Sequence, residues 1–518
     1  MRSLLLSLLT IFLAITVVQG QYSSIMWDKL NAVSPGLNAI GLVKVSDTKT
    51  LGSSRWSIGC ETLDRNYADL QQYKSYVGEL GAVSTRIQSG WAKCEPSKGS
   101  YRFGWLDTVV NDLRAQGAQP WMVLCYGNPN YGSDEKLGAR IFTDQATMAG
   151  WLNYVRTTVR RYKDRIYEWE IWNEPNLGDN VKYAPAYANL LLKTVEVIKA
   201  EQPKAVIIGF ALSGIPLNFT KEVFDILKNH GKANIVDYLT FHPYANNPDE
   251  TKHDIDTLEK LAKSYHPGIK LFQGECGSPS ILEWTHALSQ YPWTEVSQAK
   301  WLLRRMANDW DRGIRSSIFT MVDLQYFNML QSFGLLRASL EKKVIYKRPS
   351  FYAVQHMVNL FQNDTRSGGS MAFQASTYRS LTVLDVVKKE KQVGALLWYS
   401  DKIPSDALEW DRLDITIEGL NLRNPVLVNI ITGKVYHLGR QLFKNIGSAV
   451  KLRELPVWDS PMLVIEKDAL LLHTPEEGNK KDGHRDNLDI FSAIETRYQD
   501  KAGKYDGGPS GNHSLCAG

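Results

Sequence analysis

What the chain has little of narrows it first. It holds only five cysteines in 518 residues (Cys60, Cys94, Cys125, Cys276 and Cys516), which excludes a small disulfide-stapled scaffold. Five cannot all pair within one chain, so at least one is free unless two chains are joined. Their scattered spacing contains no CxxC pair and no Cys/His cluster, which argues against a structural zinc site. HExxH and Asp/Asn-rich calcium loops are also missing, so neither a metal nor a cofactor is indicated. The net charge is only +5, without a clustered basic run, and gives no reason to expect a nucleic-acid partner. Past the first twenty residues no stretch of about eighteen apolar residues occurs, so no membrane span is expected.

What is present is a globular composition, 43% hydrophobic and 22% charged, which rules out a disordered or collagenous chain. Fifteen Trp and 24 Tyr are the one excess. Flat aromatic faces pack cores and interfaces, and they also stack on sugar rings. At the start, Arg2, the apolar run 4–18 and the small residue Gly20 have the order of a cleavable secretory signal over 1–20, which predicts a secreted or periplasmic protein. The triplets beginning at Asn218, Asn363 and Asn512 fit the glycan-acceptor pattern, which matters only in a host that glycosylates.

Between residues 54 and 365 short apolar runs alternate with amphipathic segments, the mark of βα units. Leu63, Tyr67, Leu70, Tyr73, Val77 and Leu80 fall at helical spacing, and Gly81 ends that helix. Strands are predicted at 55–60, 82–87, 119–125, 167–173, 205–210, 236–241, 270–274 and 314–321. Eight such units predict a (β/α)8 TIM barrel. Four closely spaced strand-like runs (381–387, 393–399, 425–431 and 461–465), with no helical pattern between them, predict a C-terminal antiparallel β-sandwich over 366–472. Residues 21–53 are expected to pack on the barrel or sandwich, and the polar stretch 473–518 to be largely disordered.

The chemistry-bearing motif is Trp172-Asn173-Glu174-Pro175-Asn176. On an ideal strand Asn173 and Glu174 face opposite ways, so both serve one site only if the strand ends or bulges there, an ending that Pro175 enforces. A second carboxylate, Glu275, closes the run Leu271-Phe272-Gln273-Gly274, where Gly274 permits close backbone approach. The two fall on the fourth and seventh barrel strands, across the mouth where barrel enzymes keep their chemistry. Two converging carboxylates, one a protonated acid and one ionised, are what glycoside hydrolysis needs, and the partner they imply is a carbohydrate.

Asn173-Glu174-Pro175 and Glu275 resemble the retaining glycoside hydrolases of clan A, most closely family 39, the β-xylosidase and α-L-iduronidase family. The likeness extends through Arg86, the run from Trp91 to Asp107, Phe241-His242-Pro243-Tyr244 and Lys347-Arg348-Pro349. The resemblance implies Glu174 as general acid/base, Glu275 as nucleophile and Asn173 as partner of the sugar 2-hydroxyl. It also implies that Arg86 holds the nucleophile ionised, that Tyr244 hydrogen-bonds Glu275 and that His242 shapes the pocket. Trp91 is a candidate stacking platform, and Trp169 and Trp172 would cluster at the mouth. The carboxyl separation expected is about 5–5.5 Å, the retaining value. One departure is Phe319 where many clan members carry a sugar-platform Trp, and another is Cys276 beside the proposed nucleophile. A thiol nucleophile is the competing chemistry, but no His stands at a recognisable spacing from Cys276. A carbohydrate-binding barrel without turnover is the alternative function. Xyloside, galactoside, glucoside, arabinoside and uronide all stay open.

Overall fold

The computed structural model describes residues 24–178 and 183–473. The leader predicted over 1–20, Cys516 and all of the predicted tail but His473 lie outside them. The chain enters through α1 (Ile25–Ala32) and β1 (Ala39–Val43) before the barrel begins. Eight parallel strands then close on themselves: β2 (Trp56–Gly59), β3 (Ser84–Gln88), β4 (Gln119–Leu124), β5 (Glu168–Ile171), β6 (Val206–Ser213), β7 (Tyr238–His242), β8 (Lys270–Cys276) and β9 (Arg315–Ile318). Each is followed by a helix: α2 (Leu70–Leu80), α3 (Gly104–Ala115), α4 (Gln145–Tyr162), α5 (Ala184–Glu201), α6 (Leu217–Asn229), α7 (Lys252–Tyr265), α8 (Glu295–Asp311) and α9 (Pro349–Leu360).

The local signals explain the punctuation. The Asp69 carboxylate accepts from the Gln71 N–H to start α2, and Gly81, at φ 83°, ends it in the left-handed region that a Cβ disfavours. Asp144 caps α4, and a reciprocal Thr294/Ser297 capping box starts α8. The eight predicted strands all overlap the observed ones. β6 runs three residues past its predicted end, because Phe210 and Ala211 take positive φ and form a bulge there.

After β9 come two short hairpins, β10 (Leu324–Gln325) with β11 (Leu330–Gln331), and β12 (Leu336–Ala338) with β13 (Val344–Lys347). The sandwich follows with β14 (Thr365–Ser370), β15 (Phe373–Ala375), β16 (Leu381–Lys388), β17 (Lys391–Tyr399), β18 (Asp411–Ile417), β19 (Pro425–Asn429), β20 (Lys434–His437), β21 (Phe443–Ile446), β22 (Ala449–Val457), β23 (Met462–Glu466) and β24 (Leu472–His473). One sheet has the order β14-β16-β17-β23-β19-β20-β1-β24 and the other β15-β18-β22-β21. β1 is therefore a strand of the C-terminal sheet, and His473, assigned to the polar tail, pairs with Leu42. Among the described residues no helix is long and apolar enough to cross a membrane.

Candidate active site

The site is built from strand ends that depart from regular geometry. β5 stops at Ile171, and both Trp172 (φ 67°) and Glu174 (φ 51°) sit in the left-handed region. Each such non-glycine residue costs about 1–3 kcal/mol, strain that clusters at functional sites. The result is that Asn173 and Glu174 both line one cavity, which an ideal strand would forbid. The β6 bulge supplies the Ala211 carbonyl that accepts the Glu174 N–H at 2.9 Å, while Thr240 Oγ1 accepts the Ala211 N–H at 3.0 Å. β8 is irregular between Gln273 and Cys276, which turns Glu275 inward.

Arg86 is the hub. Completely buried, it donates from Nη1 to Glu275 Oε2 at 2.5 Å, from Nη2 to Asn173 Oδ1 at 2.7 Å and to Glu170 Oε2 at 2.6 Å, and from Nε to Glu170 at 3.0 Å. Asn173 Nδ2 in turn donates to the Tyr126 hydroxyl at 2.8 Å. Tyr244 donates its hydroxyl to Glu275 Oε1 at 3.0 Å, and His242 Nδ1 lies 3.0 Å from Glu174 Oε1. Burial alone would raise the Glu275 carboxyl, but His242, the Arg86 charge and the Tyr244 hydrogen bond together hold it below the ordinary value. Glu174, His242 and Glu275 each place one oxygen or nitrogen atom within 4.8 Å of the others. Three such atoms could meet a cation, yet Glu275 already has the Arg86 guanidinium against it.

The cavity holds about 520 Å³ and is walled by Tyr126, Tyr244, Phe319, Tyr326 and Phe333 around the two carboxylates. Phe319 therefore stands in the wall itself, edge-on to Phe333 at 5.6 Å between ring centres. The expectation for Trp91 is corrected. It is fully buried, donates its indole N–H to Glu95 at 2.6 Å and stacks on Tyr131 and Tyr154, so no ring face is open to a sugar. Trp169 and Trp172 are likewise core residues: Trp169 donates to Gln202, and Trp172 packs edge-on against Tyr126, Phe142 and Trp151. Cys276 is 1% exposed and its thiol is pushed well up by burial, which disfavours a thiolate nucleophile. The described cysteines Cys60, Cys94, Cys125 and Cys276 are all free and buried.

Three charged members were missed from sequence, among them Arg65, which lines the cavity. Glu61 lies two residues past the end of β2, and Glu170 points into the barrel from β5. The alternation Glu168-Trp169-Glu170 carried the signal for Glu170: period two places both carboxylates inward, where Glu168 meets Arg315 at 2.8 Å and Glu170 meets Arg86.

Fold and site together define a closed (β/α)8 barrel with two carboxylates, Glu174 and Glu275, lining the cavity at its mouth. The family described as "Glycosyl hydrolases family 39" matches residues 81–269, and the likeness to family 39 of clan A read from the motifs holds. A family 39 glycoside hydrolase from the gut symbiont Bacteroides cellulosilyticus WH2 superimposes with a TM-score of 0.59 at 18% identity, over 80% of this chain and 81% of that one. A monomeric beta-xylosidase from Caulobacter crescentus CB15 gives 0.51 at 16% identity, over 82% of this chain and 97% of that one. At these identities the structural likeness is one of fold. The curated 6-phospho-beta-glucosidase of Dickeya chrysanthemi is 27% identical over 107 residues, 19% of this chain, and the match spans 22% of that relative's length.

Proposed function

We propose that the protein is an exported glycoside hydrolase that retains anomeric configuration, with Glu174 as acid/base and Glu275 as nucleophile. The observation that carries the reading is the approach of one oxygen from each carboxylate to within 4.8 Å, a closeness that supports the narrow retaining arrangement over the wider one that leaves room for a water between the two groups. Glu275 attacks C1 as the bond to the leaving oxygen breaks, and Glu174 gives that oxygen its proton. Water then attacks C1, Glu174 takes the water's proton, and Glu275 leaves as a carboxylate. The bonds of Arg86 and Tyr244 to Glu275 support the anion that both steps require, and the fixing of Asn173 between Arg86 and Tyr126 supports its reading as partner of the 2-hydroxyl.

The test is a panel of 4-nitrophenyl β-xyloside, β-glucoside, β-galactoside, α-L-arabinofuranoside and β-glucuronide with wild type, Glu174→Ala and Glu275→Ala, and NMR of the first anomer released. Turnover with retention that falls roughly a thousand-fold in Glu275→Ala, about 4 kcal/mol of transition-state stabilisation, is expected. Equal rates in wild type and Glu275→Ala, or binding of sugars without any hydrolysis, would make the barrel a carbohydrate-binding protein. Export rests on the order of charged, apolar and small residues over 1–20. A secreted product whose first residue is Gln21, by mass spectrometry, is the expected outcome.

A further inference from the structure

Three carboxylates converge on one buried cation at the barrel mouth, and only Glu275 has a part in the reaction so far. Glu170 accepts two N–H bonds from Arg86 and the Thr240 hydroxyl at 2.6 Å, so it is well satisfied as an anion. Glu61 is not. Its Oε1 lies 3.4 Å from Arg86 Nη1, the same nitrogen that meets Glu275 Oε2 at 2.5 Å. With all three ionised, the single charge of Arg86 would face three negative ones in a place where Glu61 is 1% exposed.

The other oxygen of Glu61 points to the same surplus. Thr320 has one hydroxyl hydrogen, and its nearer acceptor is the Gly59 carbonyl at 2.8 Å. Glu61 Oε2, at 3.3 Å, competes for that same hydrogen with the nearer carbonyl, so it gains little from Thr320 as an anion. Gly59 makes room for this placement, since a Cβ there would stand 2.0 Å from Glu61 Oε2. The groups facing Glu61 are Arg86 on β3, Glu275 on β8, Tyr73 on α2, Tyr326 just past β10 and its neighbour Cys60. Burial pushes the Glu61 carboxyl up to about 7, with Arg86 opposing and Glu275 adding to the rise.

We infer that Glu61 is a positioning residue acting through Arg86: it carries a proton while Glu275 is a carboxylate and gives it up when Glu275 is esterified by the sugar. The inference rests on the reading of Glu275 as nucleophile. Forming the bond from C1 to Glu275 turns that anion into a neutral ester, while the proton of Glu174 departs on the leaving oxygen. Glu61 then loses its proton to cavity water and pairs with the nitrogen Glu275 has released. Hydrolysis of the ester restores the Glu275 carboxylate, and Glu61 takes a proton back from water. The cluster keeps one net negative charge throughout, and the second step proceeds with an anion beside the sugar as positive charge develops at C1.

Glu61→Gln fixes the neutral form, so the first step proceeds and the second slows. With the 4-nitrophenyl glycoside turned over fastest in the panel, kcat and KM should fall together by roughly ten-fold and kcat/KM should stay within about three-fold, with a nitrophenolate burst matching the enzyme concentration. Unchanged constants, or a rise in KM with falling kcat/KM, overturn the inference. Should Glu61→Gln not fold, Glu61→Asp is read in the same assay: a smaller joint fall supports the inference, and wild-type constants or a raised KM overturn it. Turnover that needs Glu275 but ignores Glu61 removes this inference alone, whereas wild type without turnover removes both readings.

Discussion

At the residue scale, the site works by giving similar side chains different surroundings. Glu275 has a guanidinium and a phenol hydroxyl on its oxygens, whereas Glu174 faces His242. The sign of the resulting pH dependence follows from the bonds. Removing the Tyr244 hydroxyl takes a hydrogen bond from the charged form of Glu275, so its carboxyl rises and the acidic limb of kcat/KM moves to higher pH in Tyr244→Phe. The loss at neutral pH, where Glu275 stays ionised, should be about ten-fold, the worth of one hydrogen bond to a charged group. A pH profile of both proteins on one aryl glycoside checks this, and an unmoved acidic limb would show that the Tyr244 hydroxyl does not act on Glu275. Glu174 and Glu275 could be singled out by residue type and spacing because chemistry demands a carboxylate at a strand end. Glu61 could not, since its role comes from sharing Arg86 with residues far away in the chain.

At the element scale, the barrel strands were readable because parallel strands covered on both faces are continuous apolar runs, as Val123-Leu124 in β4 and Phe241 in β7 show. β18 was not, because it opens on the exposed pair Asp411-Arg412 and buries only Leu413, Ile415 and Ile417 between polar residues on a half-covered sheet. β1 escaped for another reason, as its partners β20 and β24 lie about 400 residues further on. The aromatic motif residues misled for a third: sequence places Trp91 and Trp172 near the mouth, but only packing decides which way a ring faces. The loop 277–294, which brings His286 and Ala287 to the cavity rim, is held by Glu283 accepting the Ser332 N–H at 2.5 Å. Burial pushes this carboxyl up to about 7 from 4.5. A raised carboxyl favours the folded loop most below its unfolded value, and that contribution fades as pH rises from about 4.5 through about 7. Protection factors over 277–294, taken against the intrinsic base-catalysed exchange rate at each pH, should therefore fall between pH 5 and 8, and Glu283→Gln should abolish that fall. Equal pH dependence in both would show that the loop is held by other contacts.

At the scale of the whole molecule, the sandwich is tied to the barrel by buried charge. Lys300 of α8 meets Asp459 at 2.6 Å and the Ala407 carbonyl at 2.6 Å, both from the sandwich region. One turn on, Arg304 donates to the Lys402 carbonyl at 2.9 Å and to Asp249, which also accepts from the Trp398 indole at 3.3 Å. On the far side His356 of α9 donates its Nδ1–H to the Ile430 carbonyl at 2.9 Å, and β1 pairs within the C-terminal sheet before the chain builds the barrel. Neither unit can come away without exposing unpaired buried charges, so the two should unfold in one transition. Lys300→Met keeps the apolar stem but leaves Asp459 buried beside no cation, a change that costs about 3–5 kcal/mol. Because α8 is also a barrel helix, that cost should fall on barrel and sandwich alike. Calorimetry is expected to give a single transition in wild type and a single, lower one in Lys300→Met. A variant trace split into two peaks, one at the wild-type temperature, would mean that the barrel holds its fold without the sandwich.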